Sequence, residues 1–197
     1  MSRQQIIDVV LRRQAVRDAI SEEQSESISK PEAVNKRARK MAEEVAANFD
    51  GRMIRALELI LSWAFRKIFA GLNIHHIDRL RDTANSRQLI YMPSHRSHFD
   101  YLLISYTLYV QGLVPPHIAA GVNLNFWPVG GLLRRGGAFY IRRSFGGQKL
   151  YSAIFKSYLD VLLGRGYPVE FFPEGGRSRT GRLLPPKKGM LKMTVES

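Results

Sequence analysis

A chain of 197 residues is long enough for one core-bearing domain, and an apolar content of 45% belongs to a globular protein rather than a disordered one. It has no cysteine, which excludes a disulfide framework, a thiolate metal site and a cysteine nucleophile. Thirty Lys and Arg against 17 Asp and Glu give a formal charge of +13, which fits an acidic partner: nucleic acid, an anionic membrane face or a phosphorylated substrate.

In chain order, residues 6–20 read as a helix of mixed charge, and 21–30, rich in Ser and Glu, as a break or exposed linker. Pro31 opens the next helix, with Ala33, Ala38, Met41, Val45 and Ala46 at helical spacing. In 52–70 the polar positions Arg52, Arg55, Glu58, Ser62, Arg66 and Lys67 recur every three or four residues and form one narrow stripe. The broad remaining face, including Ile54, Leu57, Ile60, Trp63 and Phe69, either packs into a core or sits in a membrane interface. No secretory pattern opens the chain, and no run approaches the ~18 apolar residues of a spanning helix. The chain is expected not to cross a bilayer, although it can lie on one.

From residue 88 strands and helices alternate. Strands are expected over 88–92, 117–122, 138–141 and 168–172. Helices are expected over 99–110, 126–134 (bent or started near Pro128), 148–163 (ended by Gly164 and Gly166) and from Met190 onward. This alternation predicts an α/β fold with a largely parallel sheet flanked by helices. It divides the chain into a helical N-terminal region, 1–85, and a sheet-bearing region, 86–197.

Three islands fall at or just after the strand ends, where open α/β sheets place their sites. The first is His95-Arg96-Ser97-His98-Phe99-Asp100. A histidine held by a carboxylate is a general base for activating a hydroxyl. Five residues apart on a continuous helix the two would diverge, so the pairing requires His95 in the turn before the helix and Asp100 in its first turn. The plainer alternative makes Asp100 a first-turn helix residue and His95 a satisfied loop histidine. A zinc pair of His95 and His98 is the other alternative.

The second island, Gly136-Gly137-Ala138-Phe139-Tyr140-Ile141-Arg142-Arg143, ends in a guanidinium suited to bidentate phosphate recognition, or simply solvated. In the third, Phe172-Pro173-Glu174-Gly175-Gly176-Arg177, the glycines let backbone N–H groups approach a ligand, and Arg177 and Arg179 add charge. Glu174 cannot itself favour a phosphate; it either orders the loop or hydrogen-bonds a substrate hydroxyl. Gly175 and Gly176 alternatively form a simple turn. Phe126-Trp127-Pro128 and Leu132-Leu133 either line an apolar channel, face lipid or pack in a core.

In this order the three islands resemble the first three signature blocks of the glycerolipid acyltransferases. The text around them, from His95 to Tyr106 and from Glu170 to Pro186, is similar to the bacterial membrane-bound branch that acylates glycerol 3-phosphate. The resemblance implies acyl transfer from acyl-CoA or acyl carrier protein to the sn-1 hydroxyl of glycerol 3-phosphate, with no metal and no organic cofactor. It makes His95 the base, Asp100 its orienting group, and Arg143, Glu174, Gly175, Gly176, Arg177 and Arg179 the acceptor-binding set. It also implies an anionic membrane surface as partner, at the cytoplasmic face of the inner membrane, and no nucleic acid.

Pro173 and Lys188 stand where the family often has Val and Thr, without touching the acid–base logic. The family's fourth block lies beyond the third, and Ser197 comes before any equivalent. The chain is therefore expected to be a fragment with an incomplete sheet, weakly active or inactive alone. Two rival functions are another glycerolipid acyltransferase, with lysophosphatidate or dihydroxyacetone phosphate as acceptor, and a basic nucleic-acid-binding module.

Overall fold

Local signals set the helix ends. The structure, a computed structural model, describes residues 1–26, 30–97, 99–144 and 147–197. Helix α1 (Arg3–Arg12) opens on a capping box, in which the Ser2 hydroxyl accepts the Gln5 N–H and the Gln5 side chain accepts the Ser2 N–H. After Arg13, which is extended, α2 (Gln14–Glu26) continues. The break expected within 21–30 is thus partly overturned: helix runs through Glu26, and 27–29 lie outside the described residues. The interruption comes instead at Arg13, where neither Gly nor Pro announces it.

Helix α3 (Pro31–Val45) carries Pro at its start and Glu32 in its first turn. Helix α4 (Gly51–Ile68) is capped by the Asp50 carboxylate on the Arg52 N–H and ends on Arg66 and Lys67, cations at the negative end of its dipole. Helix α5 (Ile77–Ser86) buries no residue, and its polar composition explains why no periodicity pointed to it.

The strands β1 (Ile90–Tyr91), β2 (His117–Gly121), β3 (Ala138–Ile141) and β4 (Val169–Glu170) form one parallel sheet in the order β1-β4-β2-β3. Helices α6 (Asp100–Val110), α7 (Val129–Arg135) and α8 (Lys149–Leu163) make the crossovers, and α9 (Lys188–Val195) follows β4. The expected α/β class is the one observed, although β1 and β4 pair over only two residues each. Parallel strands need crossovers, which here carry the helices, so all four C-terminal strand ends reach one edge of the sheet.

Strand alternation separates the two faces of the sheet. Phe139, Val169 and Phe171 point to one face and join α8 in the core, with the Phe139 ring tilted against Tyr158 at 5.5 Å and Phe155 at 6.1 Å between centroids. Helices α1, α2 and α3 cover the outside of α8 through Ile7, Val10, Val16, Ala38 and Val45, all essentially solvent-free. Buried Tyr158 accepts the Ala47 N–H at 3.0 Å, tying the end of α3 to this core.

The last carbonyls of a helix have no partner within it. At α3 they are met by Arg134, which donates to the carbonyls of Glu43, Glu44 and Ala46, and by Arg3, which donates to those of Glu43 and Ala46. The Arg134 guanidinium also lies 4.6 Å from the Tyr140 ring centroid. Part of the basic run beside the islands is therefore spent inside the fold.

Glu170 points to the other face, in register with Tyr91 on one side and Ile118 on the other. It is wholly buried, and neither carboxylate oxygen has a hydrogen-bond partner among the described residues. Burial, helped by the charge of Asp100, pushes its carboxyl up to about 8. His117, at the start of β2 between Phe49 and Tyr167, is pushed down to about 4 by burial.

These two groups work on opposite limbs of stability. Folded Glu170 keeps its proton up to about pH 8, whereas the unfolded chain releases it near 4.5, so stability is lost as pH rises from 4.5 through 8. Folded His117 stays neutral down to about pH 4, whereas the unfolded residue protonates near 6.5, so stability is lost as pH falls from 6.5 to 4. Above pH 6.5 only the Glu170 loss remains. Glu170→Gln is therefore expected to stabilise the protein by a few kcal/mol at pH 8 and much less at pH 5, read from urea midpoints at the two pH values. An equal shift at both would put Glu170 back in the ordinary carboxylate range.

Candidate active site

The C-terminal edge of the sheet opens into a cavity of about 680 Å³ bounded by α4, α6, α7 and the loops after the strands. The loop after β1 contributes His95, the residues after β3 contribute Arg142 and Arg143, and the loop after β4 contributes Phe172, Gly175, Gly176 and Arg177. The three islands thus meet although 82 positions separate His95 from Arg177 (177 − 95).

His95 lies in the turn before α6, and Asp100 is the first residue of that helix. Their side chains meet, His95 Nδ1 to Asp100 Oδ2, at 3.1 Å. The same oxygen accepts the N–H groups of Arg96 and Ser97, both at 2.7 Å, and those two bonds fold the turn back over the helix start. Phe99 completes the turn by donating its N–H to the Ser97 hydroxyl.

Partial burial raises the Asp100 carboxyl, but the Ser97 and Arg96 amides and then His95 outweigh it and hold the group below the usual carboxylate range. An ionised carboxylate only accepts, so it fixes Nδ1 of neutral His95 as the donor and Nε2 as the proton-accepting nitrogen. The imidazole is held from its other side by Phe172, whose ring stacks on it at 4.0 Å between centroids.

The third island is bolted to the first. Glu174 is buried, and its two oxygens accept backbone N–H groups from different segments: Oε1 from His95 at 3.0 Å, Oε2 from Leu184 at 3.1 Å. Ser178 donates its N–H back to the His95 carbonyl at 2.8 Å. Glu174 itself does not line the cavity. Of its two sequence-based roles, loop ordering is the one this geometry performs.

Gly175 has φ of +60°, a left-handed conformation, and a Cβ there would meet the Lys187 side chain at 2.8 Å. Lys187, whose N–H donates to the Pro173 carbonyl at 2.7 Å, is thereby brought to the cavity wall. No motif singled it out; the acid-free basic run after Glu174 was the available signal.

The arginines divide. Arg143 and Arg177 line the cavity, Arg177 next to the Ser178 that bonds the His95 carbonyl, while Arg179 is exposed and does not line it. Arg142 reaches away from solvent to Glu44 of α3 in a two-armed ion pair, Nε to Oε1 at 2.7 Å and Nη2 to Oε2 at 2.8 Å. Among the described residues no group of three or more His, Cys, Asp or Glu is placed to hold a metal ion. The zinc alternative depends on His98, which lies outside the described residues.

Beyond the polar end the cavity wall is apolar, with Ile54, Leu57 and Leu61 from α4, Leu102 from α6 and Leu132 and Leu133 from α7. Helix α4 is therefore two-sided. One side packs on α6, with Phe65 edge-on to Tyr106 at 4.9 Å and Ser62 Oγ 3.0 Å from the Tyr106 hydroxyl. The other leaves Leu59, Ile60, Trp63 and Ile68 more than 60% exposed, and Trp127 before α7 is 92% exposed.

Glu174→Gln replaces one acceptor oxygen with a donor facing a backbone N–H. A cost of about 1–3 kcal/mol is expected, with faster amide hydrogen exchange at His95 or Leu184. Unchanged protection at both amides would show that the carboxylate does not hold these loops.

A model of the acyltransferase family, described as "Acyltransferase", matches residues 71–197. Along its whole length the chain is 52% identical to a glycerol-3-phosphate acyltransferase of Shewanella oneidensis, 49% identical to one of Shewanella denitrificans and 48% identical to one of Pseudoalteromonas atlantica. It spans 24% of the length of each of these curated relatives. The matched region contains the His95–Asp100 pair, both later islands and every strand of the sheet, and by that match the chain belongs to the acyltransferase family.

Proposed function

We propose that this chain carries the site of a glycerol-3-phosphate O-acyltransferase, which moves a fatty acyl group from acyl-CoA or acyl carrier protein to the sn-1 hydroxyl. The observation that supports this reading best is the His95–Asp100 pair at the polar end of an apolar cavity bordered by Arg143 and Arg177. His95 Nε2 accepts the proton of the sn-1 hydroxyl as its oxygen attacks the thioester carbon. The anionic Asp100 stabilises the imidazolium that forms. The carbon–sulfur bond then breaks, and the imidazolium proton neutralises the departing thiolate. The products are lysophosphatidate and a free thiol.

Arg143, Arg177 and Lys187, which line the cavity, are the cations for the phosphate, with exposed Arg179 a further candidate from the same loop; guanidinium groups suit a planar two-oxygen grip. The wall formed by Leu57, Leu61, Leu102 and Leu133 suits an acyl chain. The chain acts at the cytoplasmic face of the inner membrane. Support comes from the exposed Leu59, Ile60, Trp63 and Ile68 beside the cationic Arg66 and Lys67. Among the described residues no helix is long and apolar enough to cross a membrane, so this reading uses α4 as an interfacial helix.

The test is acyl transfer from palmitoyl-CoA to labelled glycerol 3-phosphate in membranes containing this chain, with lysophosphatidate and dihydroxyacetone phosphate as competing acceptors. His95→Ala and Asp100→Asn are expected to lower the rate by about 10²–10⁴-fold. Product formation indifferent to His95→Ala would overturn the assignment of the base. In a separate sedimentation assay, the chain is expected to bind vesicles containing phosphatidylglycerol, and a Leu59→Ser, Trp63→Ser double variant to lose most of that binding. Equal binding by both would remove α4 from the interface.

A further inference from the structure

Arg142 and Arg143 are neighbours with different employment. Three of the five N–H donors on the Arg142 guanidinium are engaged by protein: two by the carboxylate of Glu44, and a third by Gln148 Oε1 at 2.8 Å. The plane of the group lies 4.4 Å from the Tyr151 ring centroid, and the Arg142 backbone N–H donates to the Tyr151 hydroxyl at 3.2 Å. Both members of the Arg142–Glu44 pair are about three-quarters shielded from water, which strengthens the attraction. Both arginines line the cavity, but Arg142 is tied there to α3 and α8, whereas Arg143, the next residue, has no such tie among the described residues.

Glu44 is attached twice. Its carboxylate holds Arg142, after β3, and its carbonyl accepts Arg134, before β3. The Asn48 and Asp50 N–H groups bond to the carbonyls of Arg134 and Arg135, extending the same seam. One turn of α3 therefore grips both ends of the strand that delivers Arg143. None of this turn falls within residues 71–197, the part matched by the family.

We propose that Glu44 is a positioning residue of the site: through its two-armed pair with Arg142 it sets the reach of Arg143 to the acceptor phosphate. This rests on the reading of Arg143 as a phosphate-binding residue. It makes the N-terminal helices part of the acceptor site rather than only its support, because displacement of a binding group by about 1 Å is enough to cost a large factor in a well-oriented site.

The test is calorimetric titration of this chain with sn-glycerol 3-phosphate and, separately, with palmitoyl-CoA. Arg143→Ala is expected to weaken glycerol 3-phosphate binding, and Glu44→Gln to weaken it about tenfold, leaving palmitoyl-CoA binding unchanged. In the Arg143→Ala background, Glu44→Gln is expected to add nothing, because its effect passes through the missing guanidinium.

A loss that adds fully in that background, or that strikes palmitoyl-CoA equally, would mark Glu44 as merely structural and overturn the proposal. If Arg143→Ala weakens binding but Glu44→Gln does not, the proposal alone fails. If Arg143→Ala binds like the parent, or the parent shows no saturable binding, the phosphate reading of Arg143 fails and takes the proposal with it.

Discussion

A parallel strand cannot be joined to its neighbour by a tight turn, and most of this structure follows from that constraint. Each crossover carries the chain back beneath the sheet, so the loops after β1, β2, β3 and β4 all emerge at one edge. Residues far apart in sequence meet there with no special adaptation of their own. The same constraint demands cover on both faces of the sheet. Helix α8, with α1 to α3 outside it, covers one face. Helices α4, α6 and α7 stand over the other and enclose the cavity.

Within that frame the charged residues are sorted by their partners rather than by their number. A carboxylate oxygen that already accepts two amide N–H groups, as Asp100 Oδ2 does, is fixed before it touches His95. Glu174 likewise spends both oxygens on backbone N–H groups, and so holds the first and third islands in register. Arg134 and Arg142 are held by the end of α3, although Arg142 also borders the cavity, and Arg143, Arg177 and Lys187 line it without an ion pair among the described residues. The proposed phosphate grip is thus made from cations that have no carboxylate partner among the described residues. Removing a carboxylate here exposes backbone donors that were buried against it, so these groups contribute order more than net stability.

The apolar residues are sorted in the same way. Helix α4 has an apolar face too broad for a single neighbour. Ile54 and Phe65 are buried, Leu57 and Leu61 line the cavity, and Leu59, Ile60 and Trp63 remain open. Its breadth therefore answers two demands at once: a wall for the cavity and, on the reading proposed here, a surface for lipid. The cationic pair at its end, Arg66 with Lys67, suits both the helix dipole and an anionic interface.

Much of this was legible in the residues alone. The strand–helix alternation after residue 88 specified a parallel α/β sheet, because period-2 and period-3.6 patterns cannot substitute for one another. The requirement that His95 sit in the turn before a helix beginning near Asp100 came from spacing and helix geometry. Other features depended on contacts no local pattern encodes. The break at Arg13 has no punctuating residue, and the apolar stripe of α5 is only Ile77, Leu80 and Ala84 in a mostly polar helix. Whether Glu174 faces ligand or loop, which of two adjacent arginines is tied to α3, and why Lys187 stands beside Gly175 were all settled by packing. Sequence determined the elements and their chemistry, because propensity and periodicity are local. Only the tertiary structure decided the partners, because a charged side chain's role is set by what lies within hydrogen-bonding distance of it.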